Sequence, residues 1–176
     1  MKKTALAVLV MSMFAASSAM ADGNKQEISL SGYVDSSSDS ASSTSSTTTV
    51  IDASYGYYFS PVLLGRIVAE DFNTSSGGST SSVLEIGGGV KYYFGESKKS
   101  SWVPFAVADL LVVSEQFSGL SGSGIGFDAG VGGSYFLTET VSFDVTGKLY
   151  SNSYTINSTT DTVSGGRVEF GFTARF

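Results

Sequence analysis

The last ten residues of the chain alternate between apolar and polar side chains with the two-residue period of a β-strand. One face carries Val168, Phe170, Phe172, Ala174 and Phe176, and the other carries Arg167, Glu169, Gly171, Thr173 and Arg175. A strand with one apolar face and one charged face must place the apolar face against either a protein core or lipid. This constraint decides which folds are open to the whole chain.

The same alternation recurs in six earlier segments, which predicts further strands. Their apolar faces carry Ile28, Leu30 and Val34; Ile51, Ala53, Tyr55, Tyr57 and Phe59; Leu63, Ile67 and Ala69; Leu84, Ile86, Val90, Tyr92 and Phe94; Ile125, Phe127, Ala129, Val131 and Tyr135; Val141, Phe143, Val145 and Leu149. Another segment, from Trp102 to Val113, is apolar on both faces, so its register stays open. Eight strands result.

Aromatic clusters precede the short connections, and Phe59, Phe94, Phe136 and Phe176 mark a repeat of about 40 residues. A repeat of two strands per unit indicates successive hairpins. The connections after strands two, four and six are short, whereas those after strands one, three, five and seven are rich in Ser, Thr, Gly and Asn, at residues 36–47, 73–81, 115–123 and 151–162. Short turns at one rim and long loops at the other are typical of outer-membrane barrels.

The sequence therefore predicts an all-β fold, an eight-stranded antiparallel up-and-down transmembrane β-barrel with both termini periplasmic and the long loops extracellular. Aromatic rings favour the membrane interface, which predicts a periplasmic girdle. Its members are Tyr57, Phe59, Tyr92, Phe94 and Tyr135. A sparser outer girdle is predicted from Tyr33, Phe72, Phe117, Tyr150 and Tyr154.

The N-terminus has the layout of a secretory signal peptide: Lys2 and Lys3, an apolar stretch, and the small residues Ala19 and Ala21 before Asp22. An uncleaved anchor helix is the alternative, but the apolar run is shorter than the roughly 20 residues that span a bilayer. We expect cleavage after residue 21, which leaves one barrel domain over residues 22–176. The expected location is a bacterial outer membrane.

Composition excludes several classes of function. Without residues 1–21 the chain has 8 basic and 16 acidic residues, a net charge of −8, which disfavours nucleic acid as a partner. It has no histidine and no cysteine, so a Ser-His hydrolase, a thiolate metal site and a disulfide are excluded. The sequence predicts no enzymatic activity, no catalytic residue, no metal and no cofactor.

The second face of each predicted strand collects six acids and five bases that would line the lumen as a charge network. These are Asp52, Arg66, Glu70, Glu85, Lys91, Asp128, Asp144, Lys148, Arg167, Glu169 and Arg175. Buried charges are tolerated when paired, and an eight-stranded barrel is just wide enough for side chains to fill it. Inward glycines around Asp128 (Gly122, Gly124, Gly126, Gly130 and Gly132) leave room for long side chains such as Lys148 or Arg66, or alternatively for a water-lined passage.

The signal peptide, the eight alternating segments, the aromatic clusters and the closing residues Phe170 to Phe176 resemble the small eight-stranded outer-membrane barrels of the OmpA/OmpX type, over about residues 26–176. The resemblance implies that Phe172, Ala174 and Phe176 carry the signal read by the barrel assembly machinery. We expect the resemblance to be limited to the barrel, without the periplasmic domain of the two-domain members. Related barrel enzymes that modify lipopolysaccharide use histidine, which this chain lacks.

Two functions follow as hypotheses. The first is a structural or surface-interaction protein with a side-chain-filled lumen, in contact with outer-membrane lipids and lipopolysaccharide and monomeric. The second is a small channel or facilitator for small solutes. Acids near the outer loops are a hypothetical site for divalent cations that bridge lipopolysaccharide, although solvated loop charges are the simpler interpretation; they are Asp35, Asp39, Asp71, Glu115 and Asp161.

Overall fold

The computed structural model describes residues 25–39, 44–76, 79–95, 101–117, 120–156 and 159–176. The predicted signal peptide, residues 1–21, lies outside the described residues. Eight strands make up almost all of the described chain: β1 (Gln26–Asp39), β2 (Thr44–Ser60), β3 (Leu63–Ser76), β4 (Ser79–Tyr93), β5 (Trp102–Phe117), β6 (Leu120–Phe136), β7 (Val141–Ile156) and β8 (Thr159–Arg175). Among the described residues, no helix is long and apolar enough to cross a bilayer.

The strands pair in chain order, every pair is antiparallel, and β8 returns to β1 to close the barrel. The predicted fold class is thereby confirmed. Closure follows from the sequence pattern, because strands joined in series by short connections form a meander, and joining its two edges removes the unpaired strand edges that a membrane does not tolerate.

The closing ladder between β1 and β8 is short. It pairs Glu27–Gly32 with Phe170–Arg175, whereas the ladder between β7 and β8 pairs Val141–Ile156 with Thr159–Ala174. Beyond Gly32 and Phe170, the described parts of β1 and β8 form no ladder pairs with each other. We call this stretch of the barrel wall the seam.

We call the end of the barrel that carries Phe176 and the connections at residues 61–62, 94–101 and 137–140 the terminal rim, and the other end the far rim. The prediction of long loops at the far rim is wrong. Ladder pairs such as Ser36 with Thr47 and Asn73 with Ser82 continue through those segments, so only residues 40–43, 77–78, 118–119 and 157–158 separate the strands. Thr fits the pleated strand, and hydrogen bonds in the ladder satisfy the backbone of these polar stretches.

The outer surface of the barrel is an apolar band, as expected of strands that contact lipid. Val34, Ile125 and Leu149 are about 70% exposed, and the apolar faces of all eight strands contribute. Strand β5, whose register the sequence left open, directs Leu110 and Val112 outward and Asp109 and Leu111 inward. Val141 and Ala174 are exceptions to the predicted outward exposure: Ala174 lies between Ile28 and Val141 in the ladder, and the pair is buried.

The predicted outer girdle is also wrong. Phe72 and Tyr150 face inward, where both rings pack on the guanidinium group of Arg167. Tyr33 and Tyr154 also face inward. Side chains alternate between the two faces of a strand, and neighbours such as Val34 face outward. The side chain of Phe117 lies outside the described residues. These rings line a cavity instead of a membrane interface.

Candidate functional site

The candidate functional site is the lumen, because the strands direct their charged side chains into it. The structure places all eleven residues of the predicted charge network inside the barrel, each at most 8% exposed: Asp52, Arg66, Glu70, Glu85, Lys91, Asp128, Asp144, Lys148, Arg167, Glu169 and Arg175. Alternation along each strand explains this placement.

Two further acids that the sequence analysis did not include are also buried in the lumen. Glu27 lies at the start of β1 and Asp109 in the middle of β5. Glu27 occupies the polar side of the alternation that directs Ile28 and Leu30 outward, so this signal was present. Asp109 was hidden because β5 is apolar on both faces. The described lumen therefore holds eight acids and five bases.

Near the terminal rim the charges are balanced around Glu27. Its carboxylate accepts hydrogen bonds from Lys91 Nζ (3.0 Å), Arg175 Nε (3.2 Å) and the hydroxyl groups of Tyr58 (2.5 Å) and Tyr93 (2.8 Å). Lys91 also contacts Asp144, at 3.2 Å. Two acids and two bases thus neutralise each other, and cation–π contacts of both bases with the ring of Tyr93 add to their packing.

An apolar plug surrounds this balanced cluster. It consists of the buried side chains Tyr58, Leu64, Tyr93, Val103, Phe105, Val107 and Phe136. Phe136 faces inward, in contrast to Phe59 and Phe94 of the same sequence repeat, which are exposed. The repeat therefore marks equivalent positions in successive hairpins, but the aromatic residues at these positions do not all lie on the same face of the sheet.

Deeper in the barrel, Arg66 of β3 and Asp109 of β5 form an isolated ion pair. The guanidinium donates from Nε (2.9 Å) and from Nη2 (2.5 Å), a two-point geometry that is among the stronger ion-pair arrangements. Gly89 of β4 lies between the two strands, and a Cβ atom there would overlap Asp109. Glycine at this position therefore admits the pair.

Toward the far rim, Lys148 and Arg167 hold a carboxylate cluster together, which we call the upper cluster: Asp52, Glu70, Glu85, Asp128 and Glu169 with these two bases. Lys148 Nζ binds Asp52, Glu70 (2.8 Å) and Glu169 (3.2 Å). Arg167 binds Glu70, Asp128 (2.7 Å) and Glu169 (2.6 Å). Five acids against two bases leave a formal charge of −3 here, which is the entire acid excess of the described lumen.

Asp52, Glu70 and Glu169 bring oxygen atoms within 4.8 Å of one another, close enough to share a metal ion. The ammonium group of Lys148 contacts all three of these carboxylates. The position that a cation would take is therefore filled by a side chain. We interpret these three carboxylates as the binding site of the Lys148 ammonium group.

Glu85 differs from the other acids of the upper cluster. It is fully buried, and its Oε1 accepts a hydrogen bond from Asn152, but its Oε2 has no hydrogen-bond partner. Among the described residues it forms no ion pair. A buried carboxylate without a counter-ion is costly, so its place in the fold needs a reason.

Above the upper cluster lies a cavity of about 730 Å³. Its lining combines the four inward aromatic rings with the polar floor and the edges of the seam: Tyr33, Val34, Thr48, Phe72, Thr74, Val83, Glu85, Tyr150, Asn152, Tyr154, Val163, Gly166, Arg167, Val168 and Phe170. Val34, Val168 and Phe170 are outward-facing and exposed, so the cavity reaches through the seam to the lipid-facing surface. Below the cluster, the remaining lumen void is only about 20 Å³.

Inward glycines make room for large side chains around the clusters. A Cβ atom at Gly130 would lie 3.0 Å from Lys148 Cγ, and one at Gly132 would lie 2.5 Å from the ring of Phe105. At Gly126 the neighbour is Asn152. The predicted accommodation of Lys148 is confirmed, while Arg66 is not among the side chains at these glycines.

The predicted periplasmic girdle residues surround the terminal rim. Tyr57, Phe59, Tyr92 and Phe94 are exposed, and Tyr135 is half-buried against Trp102, with ring centres 5.3 Å apart. Of the predicted assembly signal, Phe172 is exposed, Phe176 is half-buried and Ala174 is buried. Of the five acids of the predicted cation site, only Asp71 has a described side chain, which is exposed on β3; the side chains of the other four are outside the described part of the structure.

A closed eight-stranded meander with an apolar outer band and a charged interior defines the class of transmembrane β-barrels. The chain belongs to the family described as "Outer membrane protein beta-barrel domain", whose model matches residues 6–176. This membership places the protein in the outer membrane and confirms the resemblance found in the sequence.

Solved structures share the fold. The chain is similar to Neisserial surface protein A, with a TM-score of 0.62 and 19% identity over 88% of this chain and 100% of that one. The outer membrane protein OprG from Pseudomonas aeruginosa gives a TM-score of 0.58 and 15% identity, over 87% and 96%. The N-terminal β-barrel domain of OprF from the same organism gives 0.53 and 16%, over 87% and 98%. No curated protein sequence matches the chain.

Proposed function

We propose that this protein is a structural and surface-interaction barrel of the outer membrane whose lumen does not conduct solutes. The observation that carries the proposal is Lys148 of β7, whose ammonium group binds carboxylates of β2 and β3 across the lumen and one carboxylate of the adjacent strand β8. A solute would have to break this buried network to pass.

Two more features support a closed lumen. The apolar plug fills the terminal end, and the ion pair between Arg66 and Asp109 occupies the lumen between the plug and the upper cluster. The void of about 20 Å³ between these layers has room for about one water molecule. Because the lumen acids are engaged in ion pairs and hydrogen bonds, we assign no reaction and no cofactor to them.

In the proposed orientation, the terminal rim lies in the periplasm and the far rim faces the outside. Strands β3, β4, β7 and β8 extend toward the far rim with exposed Ser and Thr side chains such as Ser75, Thr80 and Thr160. A hydroxyl-rich rim is suited to contacts with lipopolysaccharide or with another surface. We further propose a monomer that is inserted by the barrel assembly machinery through Phe172, Ala174 and Phe176.

The alternative function, a channel for small solutes, is favoured by the cavity of about 730 Å³ at the far-rim end. That cavity ends on the upper cluster, so conduction would require the cluster to open.

Solute flux into proteoliposomes separates the two functions. We expect vesicles that contain the folded protein to swell no faster in glycine or in small sugars than protein-free vesicles, while a general porin in the same lipid gives fast swelling. Swelling whose rate falls with solute size would contradict the closed lumen and establish the channel.

Cysteine labelling tests the orientation. The chain has no cysteine, so a single introduced cysteine is its only thiol. Thr80→Cys at the far rim and Lys25→Cys at the terminal rim form a matched pair of exposed sites. A membrane-impermeant maleimide should label the first variant on intact cells and the second only after the outer membrane is permeabilised. The reverse result would invert the proposed orientation.

A further inference from the structure

The cavity at the far-rim end has two kinds of wall. One side is the seam, where the outward-facing side chains Val34, Val168 and Phe170 line the cavity and also contact the membrane environment. The other is the polar floor, formed by Glu85, Asn152 and Arg167. A volume of about 730 Å³ is in the usual range of small-molecule sites.

The seam has to be explained in physical terms. Beyond Gly32 and Phe170, the facing edges of β1 and β8 have no ladder with each other. Strand edges that form no ladder with each other at membrane depth are tolerated only where they are buried in protein or line a water-filled cavity. The cavity provides that space, so the seam is a lateral connection between the lipid and the lumen.

The charge of the floor selects among the molecules that could enter. Arg167 is already bound by Glu70, Asp128 and Glu169, so its charge is compensated, although its Nη1 has no hydrogen-bond partner. Glu85, by contrast, is fully buried with its Oε2 unpartnered, and the upper cluster carries a formal charge of −3. A negative floor disfavours carboxylate and phosphate heads and favours a cation.

We infer that the cavity is a lateral binding site for a single-chain amphiphile with an ammonium head. The head lies on the floor with Glu85 as its counter-ion, beneath the rings of Phe72 and Tyr150. The alkyl chain passes through the seam between Val34 and Val168 into the outer leaflet. Such a ligand supplies one of the positive charges that the upper cluster lacks and fills the seam with apolar surface.

The test uses the folded full-length barrel in phosphatidylcholine nanodiscs, with three probes: dodecylammonium, dodecanoate and methylammonium. Binding is followed by the backbone amide chemical shifts of Gly166 and of other cavity residues. We expect saturable binding of dodecylammonium, none of dodecanoate, and affinity for methylammonium at least about 100-fold weaker, because it lacks the chain.

Glu85→Gln removes the charge and keeps the shape, and Glu139→Gln, in the exposed turn at the terminal rim, is the matched control. We expect the first variant to bind dodecylammonium roughly 10- to 100-fold more weakly, the range of a charge-assisted hydrogen bond, and the second to bind like the wild type. Equal affinities of the two variants, or saturable binding of dodecanoate, would overturn the inference.

A second variant tests the seam without altering the floor. Val34→Cys combined with Val168→Cys, joined by a short bis-maleimide, should abolish dodecylammonium binding, whereas the unlinked variant keeps it. If methylammonium binds as tightly as dodecylammonium, or the linked variant still binds the amphiphile, the site is an aqueous cation site and the lateral route is wrong. Ligand binding in this test does not depend on solute flux. The result therefore tests the lateral site separately from the proposed closed lumen.

Discussion

Lys148 offers the sharpest prediction about stability. Its side chain is 2% exposed, and its ammonium group binds the carboxylates of three side chains that are at most 3% exposed. Glu70 and Glu169 keep Arg167 as a partner when Lys148 is lost, but Asp52 has no other ion-pair partner among the described residues. Removing one member of a buried ion pair costs about 3–5 kcal/mol. Lys148→Met should therefore lower the free energy of unfolding by about that amount.

Equilibrium urea unfolding of the detergent-folded barrel measures this change. Trp102 is the only tryptophan of the chain and lies exposed on the outer band, so its fluorescence reports the loss of the barrel. Lys25→Met, at an exposed position, is the control and should change the free energy by less than about 0.5 kcal/mol. Adding Asp52→Asn to Lys148→Met should recover part of the loss. A Lys148→Met barrel within about 1 kcal/mol of the wild type would refute the network as a stabilising element.

Three further predictions use the same unfolding assay. Arg66→Met should destabilise the barrel by about 3–5 kcal/mol, and adding Asp109→Leu should restore much of that loss, because an apolar pair leaves no buried charge; a double variant no better than the single one would contradict this. Gly132→Val should lower the free energy of unfolding by about 1–3 kcal/mol, since the new Cβ would overlap the ring of Phe105. An unchanged urea midpoint would show that the plug rearranges at no cost. Tyr93→Phe removes a donor to Glu27 and should cost about 1.5–3 kcal/mol, unlike the same change at an exposed tyrosine.

The sequence was sufficient for the strand number, the closure and the inward position of most lumen charges. Each follows from period-two alternation, which is strong in β8 and weak only in β5. Asp109 was missed for that reason, since apolar residues on both faces of Trp102 to Val113 remove the contrast that reveals a polar inward position. An apolar residue that faces lipid and an apolar residue that packs in the plug look the same in the sequence.

Composition was a poor guide to the length of the strands and to the outer aromatic residues. Ser- and Thr-rich segments were interpreted as loops, yet the ladder continues through them because neighbouring strands supply the hydrogen bonds. Phe72 and Tyr150 were assigned to a girdle by residue type, whereas their positions alternate with outward side chains and direct them into the lumen. Alternation was the better signal in both cases.

Which charges contact each other was beyond the sequence, since ion pairs such as Lys148 with Asp52 join strands 96 residues apart. The seam was equally hidden, because nothing in the residues of β1 or β8 shows that their ladder ends at Gly32 and Phe170. Both depend on how the strands tilt and stagger when the barrel closes.

The most direct test of the closed lumen is the ionic current through the folded wild-type protein in a planar bilayer. Folding is verified first by heat-dependent gel mobility, and the insertion of each sample is verified by a general porin added afterwards. The salt-bridged network and the apolar plug predict a baseline without discrete steps. Reproducible conductance steps, altered by Arg66→Met or Glu85→Gln, would contradict the closed barrel.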